Sequence, residues 1–330
     1  MKRVTTAWPR WLAAALGWVV LSCFAQADLA TLDYRLKARG LAPGVWVVEG
    51  TNADFSPANG CSIINTGFIA TGAGVVVVNT GPSRLYGEQL RALIARTTPE
   101  PVVQVVQLNL HPDYFLGHQA FADVTRRATP ATRAGVARES AAYETNLYRL
   151  CGDWMKGTQA LVPDQDVSAA ALRAGEWTIG ARHFELRELR GHTDSDLVLI
   201  DRTSGVAFVG GLVFAKRIPT TPNARVADWL ASLDALQALH LQTVVPSHGP
   251  VHRGDAGLDD TRRYLRWLDA TFSRAAREGW EMNELLRAPV PEEFRAWAAF
   301  RTEYVRNVAH LYPRYEREAL DRKSTRLNSS

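Results

Sequence analysis

Cysteine is scarce in this sequence, with three residues in 330. A small fold held together by several disulfides is therefore excluded, and the cysteine spacing matches no zinc-binding pattern. Cys23 lies in an N-terminal segment that we expect to be removed, which leaves Cys61 and Cys151. In an oxidising compartment the two could form one disulfide, and a pair of buried free thiols is equally compatible with the sequence.

The sequence also lacks an apolar run of the roughly 20 residues that are needed to span a bilayer. The longest run, at 11–24, has about 14 residues, follows three basic residues and ends in an A-x-A sequence at 25–27. This arrangement is typical of a secretory signal peptide, so we expect cleavage after 1–27 and a periplasmic mature protein with no stable membrane span. A membrane anchor and a lipoprotein processed at Cys23 are the weaker alternatives.

Excess charge is absent from the body of the chain. The whole chain carries +4, but 1–27 contributes three positive charges and 322–330 contributes three more, which leaves −2 for 28–321. The basic isoelectric point therefore comes from the two ends and predicts no nucleic-acid partner. Because 322–330 is polar and unpatterned, we interpret it as a probable non-native tail.

Between these ends, the hydrophobic pattern predicts an α/β domain over 28–321 that finishes in helices. We expect strands at 44–50, 62–71, 74–80, 102–108, 182–189, 197–200, 205–214 and 243–251. We expect helices at 81–96, 116–121, 129–155 and 228–239, and two more within 258–320.

Polar side chains gather where the strand at 102–108 ends. The stretch QLNLHPDYFLGHQAF at 107–121 places Asn109, His111, Asp113 and Tyr114 directly after a β-branched run. In open α/β sheets, ligand sites form outside the carboxyl ends of strands. The sequence therefore predicts a functional site at this edge.

This stretch resembles the H-x-H-x-D-H signature of the metallo-β-lactamase superfamily. His111 takes the place of the second His and Asp113 that of the Asp, while Asn109 stands at the first His and Tyr114 at the third. The resemblance implies a four-layer αββα sandwich and a metal site at this edge.

Other family motifs follow in the expected order. The sequence GHTDSD contains His192 in place of a metal ligand and Asp196 in place of a loop-orienting acid, and PSHG contains His248 in place of the last ligand. Two further positions depart from the family. Asn79 stands where a structural Asp is usual, and Gly211 stands where an Asp bridges two metals in many relatives.

The resemblance implies two neighbouring ligand positions, of which neither is complete. His111 and His192, with Asn109 as a poor third ligand, belong to the first. Asp113 and His248 belong to the second, with Tyr114 as a further ligand only if the metal deprotonates its phenol. Since zinc takes three protein ligands of the His, Asp/Glu or Cys kind plus a water, we expect one zinc ion at most, held by a mixed set from these side chains. The other histidines fit no ligand position, and we expect ordinary surface or core roles for them: His118, His183, His240, His252 and His310.

With one zinc, the resemblance implies hydrolysis of a carbonyl-containing small molecule by metal-activated water. Asp113 would orient the water and accept its proton, and Tyr114 would donate a hydrogen bond to the intermediate. The competing hypothesis is an inactive scaffold that binds a partner or a small ligand, since the departures at 109, 114 and 211 all fall in one site. A secreted β-lactamase is a third and minor alternative.

Within the superfamily, the sequence is most similar to the quinoprotein relay system zinc metallohydrolases. The similarity depends on the stretch NGCSIINTGFIATGAGVVVVNTGPSRLYGEQL, on CGDWMKGT and on the signal peptide. It implies a periplasmic protein that is associated with a quinoprotein dehydrogenase.

Overall fold

The computed structural model describes residues 32–327, with side chains described as far as 322. The chain divides into two units, Met1–Asp33 and Tyr34–Ser330, and the following account concerns the second. The predicted signal peptide at 1–27 lies outside the described residues. The last helix continues to Leu327, and the interpretation of 322–330 as a non-native tail stays a prediction.

Seven strands form the first sheet, and they lie side by side in chain order. Strands β1 to β4 are antiparallel to their neighbours, whereas β4 to β7 run parallel. The carboxyl ends of β4, β5 and β6 therefore meet at one edge of the sheet. The strands are β1 Arg39–Ala42, β2 Val45–Val48, β3 Thr66–Ala70, β4 Val75–Val78, β5 Val102–Val106, β6 Thr125–Ala128 and β7 Gln165–Asp166.

Six strands form the second sheet, in the order β13-β12-β11-β10-β9-β8. Its neighbours are antiparallel except for the parallel pair β11 and β12. The strands are β8 Glu176–Ile179, β9 Arg182–Leu189, β10 Asp196–Asp201, β11 Val206–Phe214, β12 Thr243–His248 and β13 His252–Arg253.

Helices cover the outer faces of both sheets. They are α1 Arg84–Thr97, α2 Pro112–Phe115, α3 Pro130–Cys151, α4 Ala169–Ala174, α5 Val226–Gln237, α6 Ala256–Glu278, α7 Met282–Arg287, α8 Glu292–Arg295 and α9 Phe300–Leu327. Two 3₁₀ turns lie at His118–Phe121 and Gly152–Met155. Over residues 32–327, none of the helices combines the length and the apolar character that crossing a membrane requires.

The alternation of side chains along the strands creates four layers. In β4, Val76 and Val78 pack between the two sheets, whereas Val75 and Val77 pack against α1 on the outer face. In β10, Leu197 and Leu199 face the first sheet, and the intervening Val198 packs among residues of α5, α6 and α9. Because successive strand residues point to opposite faces, each sheet is buried on both sides. The predicted αββα sandwich is confirmed.

The segment after β5 differs from its prediction. A helix was expected at 116–121, but α2 begins earlier, at Pro112, and only a 3₁₀ turn occupies 118–121. Proline is favoured in the first turn of a helix because its missing N–H would have no partner there. Asp113 and Tyr114 are thus held within a short helix directly beyond the strand edge.

The C-terminal region also differs, since 258–320 contains four helices rather than two. The first, α6, ends at Gly279, which has a positive φ of 78° and donates its N–H to the last turn. Pro289 and Pro291 then separate the short helices α7 and α8. Sequence analysis also missed the short strands β1, β6, β7, β8 and β13, which have at most four residues each.

One disulfide joins Cys61 to Cys151. It connects the loop before β3 to the end of α3, which are 90 residues apart in sequence. Of the two alternatives left open by the sequence, the structure contains the disulfide.

Candidate metal centre

The predicted donor residues converge at one edge of the sandwich. Asn109, His111 and Asp113 follow β5, His192 precedes β10, and His248 ends β12. Their side chains form two directly contacting pairs. The pairs correspond to the two ligand positions expected from the sequence.

The first pair is His111 and His192, whose Nδ1 and Nε2 atoms lie 3.0 Å apart. Asn223 Oδ1 accepts a hydrogen bond of 3.1 Å from His111 Nε2, so His111 Nδ1 carries the lone pair. His192 Nε2 therefore donates to His111 Nδ1. Burial lowers the pKa of His111 to about 4 and holds the pKa of His192 well below its usual value, so both rings are neutral at pH 7.

The second pair is Asp113 and His248, with 3.4 Å between Oδ2 and Nε2. His248 Nδ1 donates to the backbone oxygen of Ile63 at 2.9 Å, so the lone pair on Nε2 faces Asp113. Burial keeps the pKa of His248 well below its usual value and raises the pKa of Asp113 to about 7. Since this histidine is neutral, the contact is not an ion pair. Within residues 32–327, no hydrogen bond of ordinary geometry reaches Asp113 Oδ2.

Asn109 is used for structural hydrogen bonds. Its Oδ1 accepts from the backbone N–H of His111 at 2.9 Å, and its Nδ2 donates to Asp196 Oδ1 at 3.4 Å. Asp196 also accepts from the backbone N–H of Thr193 at 2.9 Å, which holds the loop that carries His192. An amide is a weak zinc ligand, and here both of its ends already have partners.

Asn79 keeps a structural bond despite lacking the charge of the usual acid. Its Oδ1 accepts from the backbone N–H of Leu108 at 3.0 Å. The backbone of Asn79 has a positive φ of 59°, a region that Asn tolerates better than most residues. The residue therefore ties the end of β4 to the start of the motif.

Tyr114 is completely buried, and its hydroxyl forms no hydrogen bond of ordinary geometry with any residue that the structure describes. Burial raises its pKa well above the usual value, and the charges of Asp113 and Asp196 act in the same direction. A phenolate ligand is therefore unfavourable here. The predicted role of Tyr114 as a hydrogen-bond donor stays a prediction.

Gly211 leaves the space that His192 occupies. A Cβ atom at this position would lie 2.0 Å from His192 Cδ2 and 2.7 Å from Asn109 Nδ2. Phe214 and Trp229 pack against the imidazole, with ring centroids at 5.3 Å and 4.9 Å. The bridging carboxylate of two-metal relatives has no room at 211 in this arrangement.

A buried charge pair beside the site was not found from the sequence. Arg217 is fully buried, with its guanidinium above the ring of Phe214 at 5.7 Å and 3.7 Å from Glu303. The ring of Phe214 also contacts His248, at a centroid distance of 5.0 Å. Arg217 follows β11, so its place after a strand end was the only available signal, whereas Glu303 lies on α9 far along the chain.

A cavity of about 360 Å³ opens above the second pair. His111, Asp113 and His248 form part of its floor, and α9 supplies Glu303, Arg306 and His310 to its wall. The structure thus places His310 beside the site, although the sequence predicted only an ordinary role for it. Other lining residues come from α3 and from the loops: Phe55, Ile63, Pro112, Tyr143, Asn146, Leu147, Arg149, Leu150, Thr220 and Pro222.

The four donors are of the types that bind zinc, and the spacing within each pair suits two ligands of one ion. Two donors on a tetrahedral zinc, each at about 2.0–2.1 Å, lie roughly 3.3 Å apart, close to the separation within each pair. Neutral imidazoles and a carboxylate are the forms that bind zinc. Within residues 32–327, however, no three His, Cys, Asp or Glu side chains stand as a ready metal site, and a third donor must come from the other pair.

Comparison with known families agrees with this geometry. A family model for the metallo-beta-lactamase superfamily matches residues 59–248. The chain therefore belongs to the metallo-β-lactamase superfamily. The match ends at the last residue of β12, so helices α6 to α9 lie beyond it. No curated protein matches the chain.

Solved structures show the same fold. The chain is similar to a metallo-beta-lactamase from Pontibacter korlensis, with a TM-score of 0.55 and 23% identity over 70% of this chain and 99% of that one. It is also similar to a metallo-beta-lactamase from Hirschia baltica, with a TM-score of 0.55 and 18% identity over 70% of this chain and 97% of that one. A third similar structure is the mono-zinc form of the metallo-beta-lactamase FIM-1 from Pseudomonas aeruginosa. Its TM-score is 0.55, with 16% identity over 70% of this chain and 95% of that one. At these identities the likeness concerns the fold alone.

Proposed function

We propose that this chain is a zinc-dependent hydrolase that uses one ion to cleave a small carbonyl compound. The supporting observation is the second pair, where two lone pairs face each other across 3.4 Å in a buried site. Two acceptors in this position repel each other unless a proton or a cation lies between them. A cation would satisfy both.

His111, His192, Asp113 and His248 would hold the ion. When bound, zinc would lower the pKa of a water and polarise the substrate carbonyl. Asn223 and the backbone oxygen of Ile63 fix the orientation of the His111 and His248 rings by accepting their other N–H groups. Asp113 would orient the attacking water and accept its proton.

Metal analysis tests this proposal. Protein purified from a periplasm and dialysed to remove loose ions should retain about one zinc per chain. We expect the Asp113→Asn and His248→Gln variants to lose that zinc, and His240→Gln to keep it because His240 is exposed and outside the site. Less than about a tenth of a zinc per chain in the wild type would contradict the proposal.

An inactive scaffold is the second candidate, and the first pair favours it. His192 Nε2 and His111 Nδ1 form a hydrogen bond with each other without an ion, and Gly211 leaves no room for a bridging side chain. Replacing both Asn109 and Tyr114 by His would complete the usual ligands. If the scaffold still has hydrolase geometry, this double variant should bind more zinc than the wild type; an unchanged zinc content would favour the inactive scaffold.

A secreted β-lactamase remains the minor alternative. The solved structures that resemble this chain are metallo-β-lactamases by name, but they share only its fold. Turnover of a chromogenic cephalosporin by the purified protein would support this activity. Absence of turnover from zinc-loaded protein would exclude it.

We further propose a periplasmic location and an association with a quinoprotein dehydrogenase. The Cys61–Cys151 disulfide supports an oxidising compartment, where such bonds persist. Fractionation of expressing cells, with mass measurement of the mature protein, tests the location and cleavage after 1–27. Sedimentation with a purified periplasmic quinoprotein alcohol dehydrogenase tests the association, and independent sedimentation of the two proteins would contradict it.

A further inference from the structure

Arg306 on α9 presents an unused edge of its guanidinium beside the cavity. Its Nη1 atom donates to Asp54 at 2.9 Å and to Glu303 at 2.8 Å. Within residues 32–322, Nε and Nη2 of Arg306 have no hydrogen-bond partner. The side chain lines the cavity and is 38% exposed. The carboxylates therefore fix this arginine in place without occupying its Nε–Nη2 edge.

The charges around the cavity are arranged by depth. The acids that line it, Asp113 and Glu303, are both at least nine-tenths buried. The cations Arg306 and Arg149 reach solvent, on α9 and on α3 respectively. Arg149 forms one hydrogen bond of 3.2 Å, to Asn146, and no ion pair with a described residue. A ligand that enters thus meets positive charge first.

Apolar side chains line the cavity together with the cations and the donor residues. Phe55, Leu147, Leu150 and Pro222 line the cavity. A cavity of this size and character suits a small molecule with an apolar body and a few polar groups. The combination of apolar walls and outer cations favours a molecule that carries a negative charge at one end.

We propose that Arg306, assisted by Arg149, binds a carboxylate on the substrate, so that the substrate class is a small ester or related carbonyl compound with an apolar body and a terminal carboxylate. The Nε and Nη2 atoms of arginine match the two oxygens of a carboxylate and form two parallel hydrogen bonds. Since Arg306 lies beyond the segment that matches the family, this recognition belongs to the C-terminal helices. The reaction part of this inference rests on the proposed hydrolase function.

Two matched esters test the inference. The 4-nitrophenyl monoester of glutaric acid carries a free carboxylate, and its methyl ester is the neutral counterpart. We expect zinc-loaded wild type to prefer the charged ester by about tenfold or more in kcat/KM, mainly through KM. Arg306→Gln should abolish this preference, and Arg306→Lys should keep part of it. Equal kcat/KM values for the two esters in the wild type would overturn the inference.

Arg301→Gln is the matched control, because Arg301 is exposed on the same helix and does not line this cavity. It should leave the ester preference unchanged. Urea unfolding of each variant separates recognition from a purely structural role of the Asp54–Arg306 contact. If Arg306→Gln lowered stability but left the preference intact, the role would be structural and the inference wrong.

A binding measurement keeps this inference distinct from the proposed hydrolysis. If wild type hydrolyses neither ester, the proposed function fails, while calorimetric titration of the protein with glutarate still tests recognition. We expect glutarate to bind at least about tenfold more tightly than the neutral diamide, and Arg306→Gln to remove the difference. Equal binding of the two compounds would overturn the inference whatever the outcome of the ester assay.

Discussion

The two donor pairs of the site differ in how their polar atoms are satisfied. His111 and His192 form a hydrogen bond with each other, whereas Asp113 and His248 face each other with lone pairs. The facing nitrogens of the first pair are therefore satisfied by each other, whereas the facing atoms of the second pair need a proton or a cation between them. An ion would gain its first contacts at the second pair and would have to break the bond within the first.

This difference follows from what surrounds each pair. In the first pair, His192 is enclosed by Trp229, Phe214 and the bare backbone at Gly211, whereas His111 lines the cavity. The second pair lies on the cavity floor and near the charge of Arg217, which lowers the pKa of Asp113 against the larger effect of burial. His192 therefore has the surroundings of a packed core, whereas Asp113 and His248 have those of a binding site.

Replacing Arg217 by Met should have the largest effect, because it removes the cation beside the second pair. Glu303 is 2% exposed and would be left as a buried charge, although Arg306 also contacts it. Loss of one partner of a buried pair costs about 3–5 kcal/mol, so we expect a fall of that order in the free energy of unfolding, measured in urea. The double variant Arg217→Met, Glu303→Leu should recover part of this loss.

Arg225→Met is the control for that measurement. Arg225 pairs with Asp194, and both side chains are mostly exposed. Exposed pairs contribute little, so this variant should change stability by less than about 1 kcal/mol. An Arg217→Met variant as stable as this control would show that the buried pair does not support the site.

Removing the disulfide should weaken the second pair. Ile63, which accepts a hydrogen bond from His248, is two residues after Cys61. Replacing Cys61 and Cys151 together by Ala should lower the free energy of unfolding by about 2–4 kcal/mol, because the unfolded chain gains freedom. Urea unfolding with and without reductant checks this value. Unfolding that is insensitive to reductant in the wild type would contradict the bond.

A histidine outside both pairs sharpens the comparison. His118 is fully buried, its Nδ1 contacts the backbone oxygen of Leu161 at 2.9 Å, and burial lowers its pKa to about 4. The unfolded chain takes up a proton near pH 6.5, so the contribution of His118 is complete above that pH and is lost as pH falls through about 4. The free energy of unfolding should therefore fall less on acidification in His118→Gln than in the wild type, by on the order of 2–3 kcal/mol.

The measurement is the free energy of unfolding in urea between pH 7 and pH 4. His240→Gln provides the exposed control and should leave the pH profile of the wild type unchanged. A His118→Gln profile that overlays the wild type would show that folding does not lower the pKa of this histidine. Burial alone would then not be enough to keep a histidine neutral in this protein. The neutral state assigned to the histidines of both pairs would be weakened.

Much of the sandwich was predictable because its signals are local. The valine runs of β4 and β5 and the polar residues after β5 are neighbours in sequence, so the strand edge and the motif could be located together. The pairing of His111 with His192 followed from the family resemblance. The start of α2 was missed because it depends on Pro112, which occupies the first turn of this short helix.

The rest of the site depends on residues that are distant in sequence. The buried pair of Arg217 and Glu303 joins a loop after β11 to α9, and arginine and glutamate are ordinarily expected at the surface. Asn223 carries no motif, yet it fixes the tautomer of His111. Such contacts are set by how the helices pack on the sheets, which neither periodicity nor composition records.

Gly211→Ala should have the smallest of these effects on stability and the most selective effect on the first pair. The added Cβ would lie 2.0 Å from His192 Cδ2, and the ring is enclosed by Phe214 and Trp229, so the imidazole must shift and its bond to His111 must weaken. Overpacking of this kind costs about 1–3 kcal/mol. Urea unfolding measures the cost, and zinc content measures the second pair. If the variant loses stability but keeps its zinc, Asp113 and His248 contribute more to zinc binding than the first pair does. If it loses zinc as well, both pairs are needed to bind the ion.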